Sequence, residues 1–284
     1  MPDSLELLEL VPAGDGRLLA PMPEGSPEGR DVIFGGQIIA QMIMAASADA
    51  SDPKVIKSIH VIFARAGTYE TPLHYEVEDF QNGRTFGSKV ITAMQGDRRL
   101  AKAMVLTTAV EPDLIAHGIT PPSGVAAPDP GLPSPTGSAF PGALVQRATP
   151  AGTTVNGVPA SSFWSRMPVR VDAPAAGQAV LAWTSIGSLI GLAMEQHTDE
   201  VSIEDAHHSL STGVIAHTLN FHRPVDAHAW LQFAEEASFA GGGRVHGRGA
   251  VFDAQGALVA TYAQDSMVKR VDETALGFGT RARM

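Results

Sequence analysis

The sequence predicts an α+β protein built twice over, each half one helix followed by an antiparallel meander. Three observations predict it. An irregular stretch divides the 284 residues near the middle. Each half carries one apolar run at helical spacing. Each half then carries strand-like runs whose turns fall at matching places, and segregated helix and strands belong to the α+β class.

In the first half the helical pattern runs from Gly36 to Ala48, with Ile38, Ile39, Met42, Ile43 and Ala46 on one side. A β-rich segment follows, Ile59-His60-Val61-Ile62-Phe63-Ala64-Arg65-Ala66, then a second strand from Leu73 to Phe80 and a turn at Gly83-Arg84. A hairpin closes the set, Ser88 to Met94 returning through Gly96-Asp97 into Leu100 to Thr108. Glu111 to Pro150 is rich in Pro, Gly, Ser and Ala, a composition that builds neither ladder nor long helix, and is expected to be a linker. The expected organisation is therefore residues 1–110, a linker over 111–150, and residues 151–284.

The second half repeats the first. A helix is expected from about Thr184 to Gln196, with Ile186, Leu189, Ile190 and Ala193 apolar. His217 to Pro224 matches Ile59 to Ala66, both ending in Phe-X-Arg. Trp230 to Ala237, the turn Gly243-Arg244, and the hairpin Arg248 to Phe252 through Gln255-Gly256 into Leu258 to Val268 follow at a nearly constant offset. Strand, turn and hairpin in step over about fifty residues indicate an internal duplication.

A net charge of −10 argues against bulk nucleic-acid binding, which needs a basic face, but leaves room for a local basic cluster around an anionic ligand. The absence of cysteine removes disulfides, thiolate nucleophiles and cysteine–zinc sites, and fits a reducing cytoplasm. Met1 to Leu10 is acidic and does not read as a signal peptide. No stretch approaches the ~18 apolar residues of a membrane span.

Val32-Ile33-Phe34-Gly35-Gly36-Gln37 leading into a helix, Ser58-Ile59-His60 through Arg65-Ala66-Gly67, and Phe221-His222-Arg223-Pro224 together resemble the type II acyl-CoA thioesterases. The resemblance implies a tandem (double) hot-dog, each a long helix wrapped by a curved antiparallel sheet, with the two sheets joined edge to edge. It implies hydrolysis of acyl-CoA to free acid and CoA by directly activated water, with no cofactor, metal or covalent intermediate. It also implies a homo-dimer or higher homo-oligomer.

Such chemistry needs a water that loses its proton as it attacks, and amide donors for the developing oxyanion. Gly35 and Gly36, with Gln37, stand where a helix N-terminus offers free N–H groups, and Gly187 raises the same question in the second half. The glycines equally permit a tight turn into a packed helix. The resemblance implies that an aspartate, a threonine and a glutamine hold the water. The glutamine falls on Gln264. The threonine falls on Val214 and the aspartate on Ile186, which lack the hydroxyl and the carboxylate.

Other candidates for the missing base are Asp31, Glu195, Asp199, a polar cluster of Glu204, Asp205, His207 and His208, and the strand histidines His60, His217 and His222. Each has a blander reading as a core, interface or solvated residue. Arg65 and Arg223 occupy equivalent places and, with Arg98, Arg99, Lys102, Arg244, Arg248, Lys269 and Arg270, offer charge for CoA phosphates. Ile39, Met42, Ile43 and Leu189 are candidates for an acyl pocket or for ordinary core. Three readings stay open: a thioesterase, an acyl-CoA-binding protein with weak or no hydrolysis, and another acyl-CoA reaction on the same fold.

Overall fold

The computed structural model describes residues 4–22, 31–49, 51–129, 139–201 and 209–270. The first half has a 3-10 turn, Ser4–Leu8, then β1 (Val11–Pro12), β2 (Arg17–Leu19), α1 (Gly35–Ala46), β3 (Val55–Phe63), β4 (His74–Asn82), β5 (Phe86–Gln95) and β6 (Arg98–Thr108). The second has β7 (Leu144–Arg147), β8 (Thr154–Val155), β9 (Val158–Arg166), α2 (Pro174–Thr184), α3 (Ser188–Met194), β10 (Leu210–Phe221), β11 (Leu231–Gly241), β12 (Arg244–Phe252) and β13 (Leu258–Arg270).

The strands form one antiparallel sheet in the order β1-β2-β4-β5-β6-β3-β10-β13-β12-β11-β9-β7, with β8 paired to β9. The two halves join edge to edge through β3 and β10, so neither leaves that edge unpaired. This is the tandem hot-dog that the resemblance implies. Ala64 and Arg65 both donate their backbone N–H to Leu100 O, and His222 and Arg223 both donate to Val259 O, which fixes the correspondence of the halves. His60 and Thr218 correspond to one another, face each other across the joint, and hydrogen-bond at 2.6 Å.

One face of the sheet is covered by the helices. Ile38, Ile39, Met42 and Ile43 of α1 are buried against α2 and against Ile59, Val61, Ile91 and Val105 of the strands. In β6 the buried Ala101, Ala103, Val105 and Thr107 alternate with the exposed Lys102, Met104 and Leu106, as period two requires.

The helix expected over Thr184–Gln196 is corrected in two ways. Helical structure begins ten residues earlier at Pro174, whose fixed φ suits a first turn. It then breaks at Ser185–Gly187, and α3 starts with Gly187 as its cap. Against the expectation from the sequence, the apolar Pro174–Met194 segment is long enough by composition to cross a membrane, but most of it is buried in the core. Strands β1, β2 and β7 to β9 are additions to the expected set. Within the segment expected as a linker, Leu144–Arg147 is β7, Trp164 Nε1 donates to Ala126 O at 2.8 Å, and Asp129 N donates to the buried Gln146.

Candidate active site

Because β13 lies between β10 and β12, its inward side chains meet two neighbours, and the registers align two rows across the second half. One row joins His217 (β10), Gln264 (β13) and Gly247 (β12). The other joins Tyr262 (β13), Gly249 (β12), Glu235 (β11) and Ser161 (β9). At the corresponding ladder positions of the first half stand Ile59 with Val105, and Ala103, Ile91 and Val77. Lys89 stands opposite Val105 where Gly247 stands opposite Gln264, buried with its Nζ donating to Ala46 O. At the other five positions the duplication supplies its own control, apolar in the first half where the second has His217, Gln264, Tyr262, Gly249 and Glu235.

Gln264 is 1% exposed and satisfied in that row. Its Nε2 donates to Ser266 Oγ at 2.9 Å, and its Oε1 lies 3.2 Å from His217 Nδ1. Burial pushes His217 down to about 4, a shift reinforced by His60 and opposed by the Gln264 bond, so the ring is neutral at pH 7. With Nδ1–H donating to Gln264, Nε2 accepts, and Ser185 Oγ lies 3.1 Å from it. Ser185 Oγ is also 2.9 Å from Ala182 O, so its one proton serves either partner.

Glu235 is 2% exposed. Ser188 Oγ and Tyr262 Oη each donate to its Oε1 at 2.6 Å, and Ser161 Oγ lies 3.5 Å from Oε2. Tyr262 reaches across a whole strand to do this, and Gly249 is what permits it: a Cβ there would lie 2.2 Å from Tyr262 Cζ. Burial raises the carboxyl above its ordinary value, against the lowering effect of the Ser188, Tyr262 and Ser161 bonds. The Tyr262 phenol is pushed well up by burial and by Glu235. Tyr262 also stacks on His217 at 5.6 Å, which links the two rows.

Ile186 is buried between Ser185, which reaches His217, and Gly187-Ser188, which reaches Glu235. A Cβ on Gly35 would stand 3.7 Å from Ile186 Cγ2 and 3.5 Å from the Phe63 ring, so the start of α1 faces this junction. Gly36 is held by packing, since a Cβ would come within 2.3 Å of the Phe34 ring and 2.8 Å of Trp183 O. Gln37 is buried, with Oε1 accepting from Tyr69 Oη at 3.4 Å. Val214 is half-buried and pairs with Ser266, whose hydroxyl holds Gln264.

The remaining candidates lie elsewhere. Arg65 is exposed and donates to Arg99 O, and Arg223 is exposed at the end of β10, outside the Gln264 cluster. His60 lies on the opposite sheet face, in a groove of about 300 Å³ with Met104, Leu106 and Thr218. His222 is 2.9 Å from Thr261 Oγ1 and 3.4 Å from Lys57 Nζ. Glu195 receives both Arg147 guanidinium nitrogens and the Gly152 amide, and although burial raises its carboxyl, these bonds leave it lowered. Asp31 accepts from Tyr69 N, and Asp199 sits in an exposed turn. Glu204, Asp205, His207 and His208 lie outside the described residues. No group of three potential metal ligands occurs among the described residues. Glu235 was missed in the sequence, although it holds the inward parity of Leu231, Phe233 and Ala237.

A family model described as the acyl-CoA thioesterase N-terminal domain matches residues 22–110, and one described as the acyl-CoA thioesterase C-terminal domain matches residues 121–268. Acyl-CoA thioesterase 2 of Haemophilus influenzae is 26% identical over 261 residues, covering 84% of this chain and 87% of that protein. The tesB protein of Mycobacterium avium subsp. paratuberculosis superposes with a TM-score of 0.77 at 26% identity, covering 94% of this chain and 98% of that one. A protein of unknown function with a hot dog fold from Alicyclobacillus acidocaldarius has a TM-score of 0.74 at 17% identity, covering 96% and 100%.

Proposed function

The chain belongs to the acyl-CoA thioesterase family, and from that premise we propose that it hydrolyses acyl-CoA thioesters at the buried polar rows around Gln264. The observation that carries the location is the asymmetry of the duplication: Gln264 and His217 stand where the first half has Val105 and Ile59. Burying an amide and an imidazole there costs stability unless they are paired, and they are.

Gln264 Nε2 carries two hydrogens and donates one to Ser266, which leaves the other for the attacking water. The amides of Gly35 and Gly36, in the first turn of α1, are the donors for the oxyanion, and the facing Ile186 keeps that space apolar. The neutral His217 holds the Gln264 amide in orientation. The substrate is an acyl-CoA, and the CoA phosphates fall to the exposed arginines, with Arg65 and Arg223 as the equivalent pair. The division into residues 1–110, 111–150 and 151–284 remains our reading of the chain's organisation, and the cytoplasm and a homo-oligomer remain our proposals for its setting.

The test is release of free CoA from short, medium and long acyl-CoAs, with Gln264→Ala alongside. Loss of a positioned water is expected to lower kcat by about 10²-fold. Turnover indifferent to Gln264 would move the chemistry elsewhere. Binding of acyl-CoA with no turnover on any chain length would make the protein an acyl-CoA binder.

A further inference from the structure

We propose that Glu235 is the general base of this hydrolysis, acting on the attacking water through the hydroxyl of Ser188, and that it replaces on the sheet the carboxylate missing from position 186. The inference rests on the thioesterase reading above and assigns it a residue outside the expected trio.

Three features carry it. The first is position. Ser188 is two residues from Ile186, and Tyr262 joins Glu235 to the His217–Gln264 pair by ring stacking, so the carboxylate belongs to the same cluster as the water-holding amide. The second is construction. A glutamate for Val77, a glycine for Ile91 and a tyrosine for Ala103 are three coordinated differences between corresponding rows of the two halves. The glycine is there to admit the tyrosine ring. A buried carboxylate with two 2.6 Å donors is a built site rather than a tolerated charge. The third is access. Glu235 itself is 2% exposed, whereas Ser188, whose hydroxyl donates to it, is half-buried.

The proton inventory closes. As water attacks the thioester carbon, its proton passes to Ser188 Oγ while the Ser188 proton passes to Glu235 Oε1. When the tetrahedral intermediate collapses and the C–S bond breaks, Glu235 returns the proton through Ser188 to the CoA sulfur. The products are the free acid and the CoA thiol. Burial keeps the Glu235 carboxyl above the ordinary range, which suits a base working nearer neutrality. The titratable groups facing it are Tyr262 directly and His217 beyond; Arg248 on β12 pairs with Glu236, the neighbouring residue of opposite parity.

The experiment measures the pH profile of kcat for CoA release by the wild type, Glu235→Gln and Tyr262→Phe, with binding of a non-hydrolysable acyl-CoA thioether followed in parallel. Glu235→Gln keeps the shape and both acceptor contacts, so it is expected to bind the thioether within about threefold of wild type and to lose about 10²-fold or more in kcat. Tyr262→Phe removes a hydrogen bond that favours the charged carboxylate, and its acid limb is expected to move to higher pH. If Glu235→Gln turns over at wild-type rates, or the acid limb stays in place in Tyr262→Phe, Glu235 is structural and the proposal falls while the thioesterase reading stands. If the wild type releases no CoA from any substrate, the reading falls and takes this proposal with it.

Discussion

Replacing Gly249 by alanine tests the packing that brings Tyr262 to Glu235. The backbone there is not in the left-handed region, so alanine is conformationally acceptable. The added Cβ would lie 2.2, 2.5 and 2.7 Å from Cζ, Oη and Cε1 of Tyr262. Ordinary carbon contacts begin near about 3.5 Å, so the ring must retreat by more than ~1 Å. A retreat of that size takes the 2.6 Å bond to Glu235 out of hydrogen-bonding range. Overpacking costs about 1–3 kcal/mol, and an abandoned bond to a buried charged group about 1.5–3 kcal/mol. The two are parts of one displacement, so the expected loss is about 2–5 kcal/mol. Urea denaturation reads it as a lower midpoint at unchanged slope. In a Tyr262→Ala background the clash is gone, and Gly249→Ala is expected to be neutral or to stabilise by up to about 1 kcal/mol. A Gly249→Ala cost below about 0.5 kcal/mol, or an equal cost in both backgrounds, would refute the packing argument.

Two further outcomes follow from the same rows. His217 titrates near 6.5 unfolded and about 4 folded, so only the unfolded chain takes up its proton between those values. Its contribution is fully present above pH 6.5 and declines by about 3 kcal/mol as pH falls to about 4. Glu235 has the opposite sign: its raised carboxyl contributes below its unfolded value of 4.5 and loses that contribution as pH rises through the folded one. The difference in stability between wild type and His217→Leu, followed from pH 7 to 4, isolates the first effect, and a difference independent of pH contradicts it. Ile186→Asp puts a carboxylate into a position that is 1% exposed, and is expected to destabilise the protein while restoring part of the CoA release that Glu235→Gln loses. A double variant as inactive as Glu235→Gln would mean that the two positions do not serve the same water.

Much of the fold was legible because period-two alternation with turn residues at fixed offsets fits little besides an antiparallel meander, and the duplication doubled that signal. The helix break was marked only by the mostly small and polar run Thr184-Ser185-Ile186-Gly187-Ser188 between the apolar Val180–Trp183 and Leu189–Met194, and one helical pattern was read across it. The early start was hidden because Pro174-Ala175-Ala176-Gly177 shares the composition of the preceding linker. Pro174 was the available signal, as a residue suited to the first helical turn. Strands β7 and β9 sit beside or within Pro- and Gly-rich sequence; β9 gains its pairing from β11 and β7 in turn from β9, which no local pattern reveals. At the candidate site, Gln264 was named through a resemblance. Glu235 was hidden by its neighbour: Glu235-Glu236 reads as a solvated acidic pair, yet on a strand two adjacent residues face opposite ways. Only one of them pairs with Arg248, and the other points into the core.

Taken alone, isoleucine at 186 and valine at 214 read as the loss of a catalytic set. Their neighbours argue for an exchange. Val214 pairs across the ladder with Ser266, which supplies a hydroxyl to Gln264 from the facing strand. Ile186 is flanked by two serines whose hydroxyls reach His217 and, on the strand below, Glu235. A chain drifting after losing hydrolysis has no reason to keep Gln264 and His217 buried and paired, because unpaired polar groups there cost about 1–3 kcal/mol each and apolar ones nothing. It has still less reason to seat a carboxylate under a tyrosine admitted by a glycine. The first half shows the simpler alternative, Val77-Ile91-Ala103 and Ile59-Val105, on the same backbone. That the second half puts His217, Gln264, Tyr262, Gly249 and Glu235 at these five positions is best accounted for by a function that needs those groups in place.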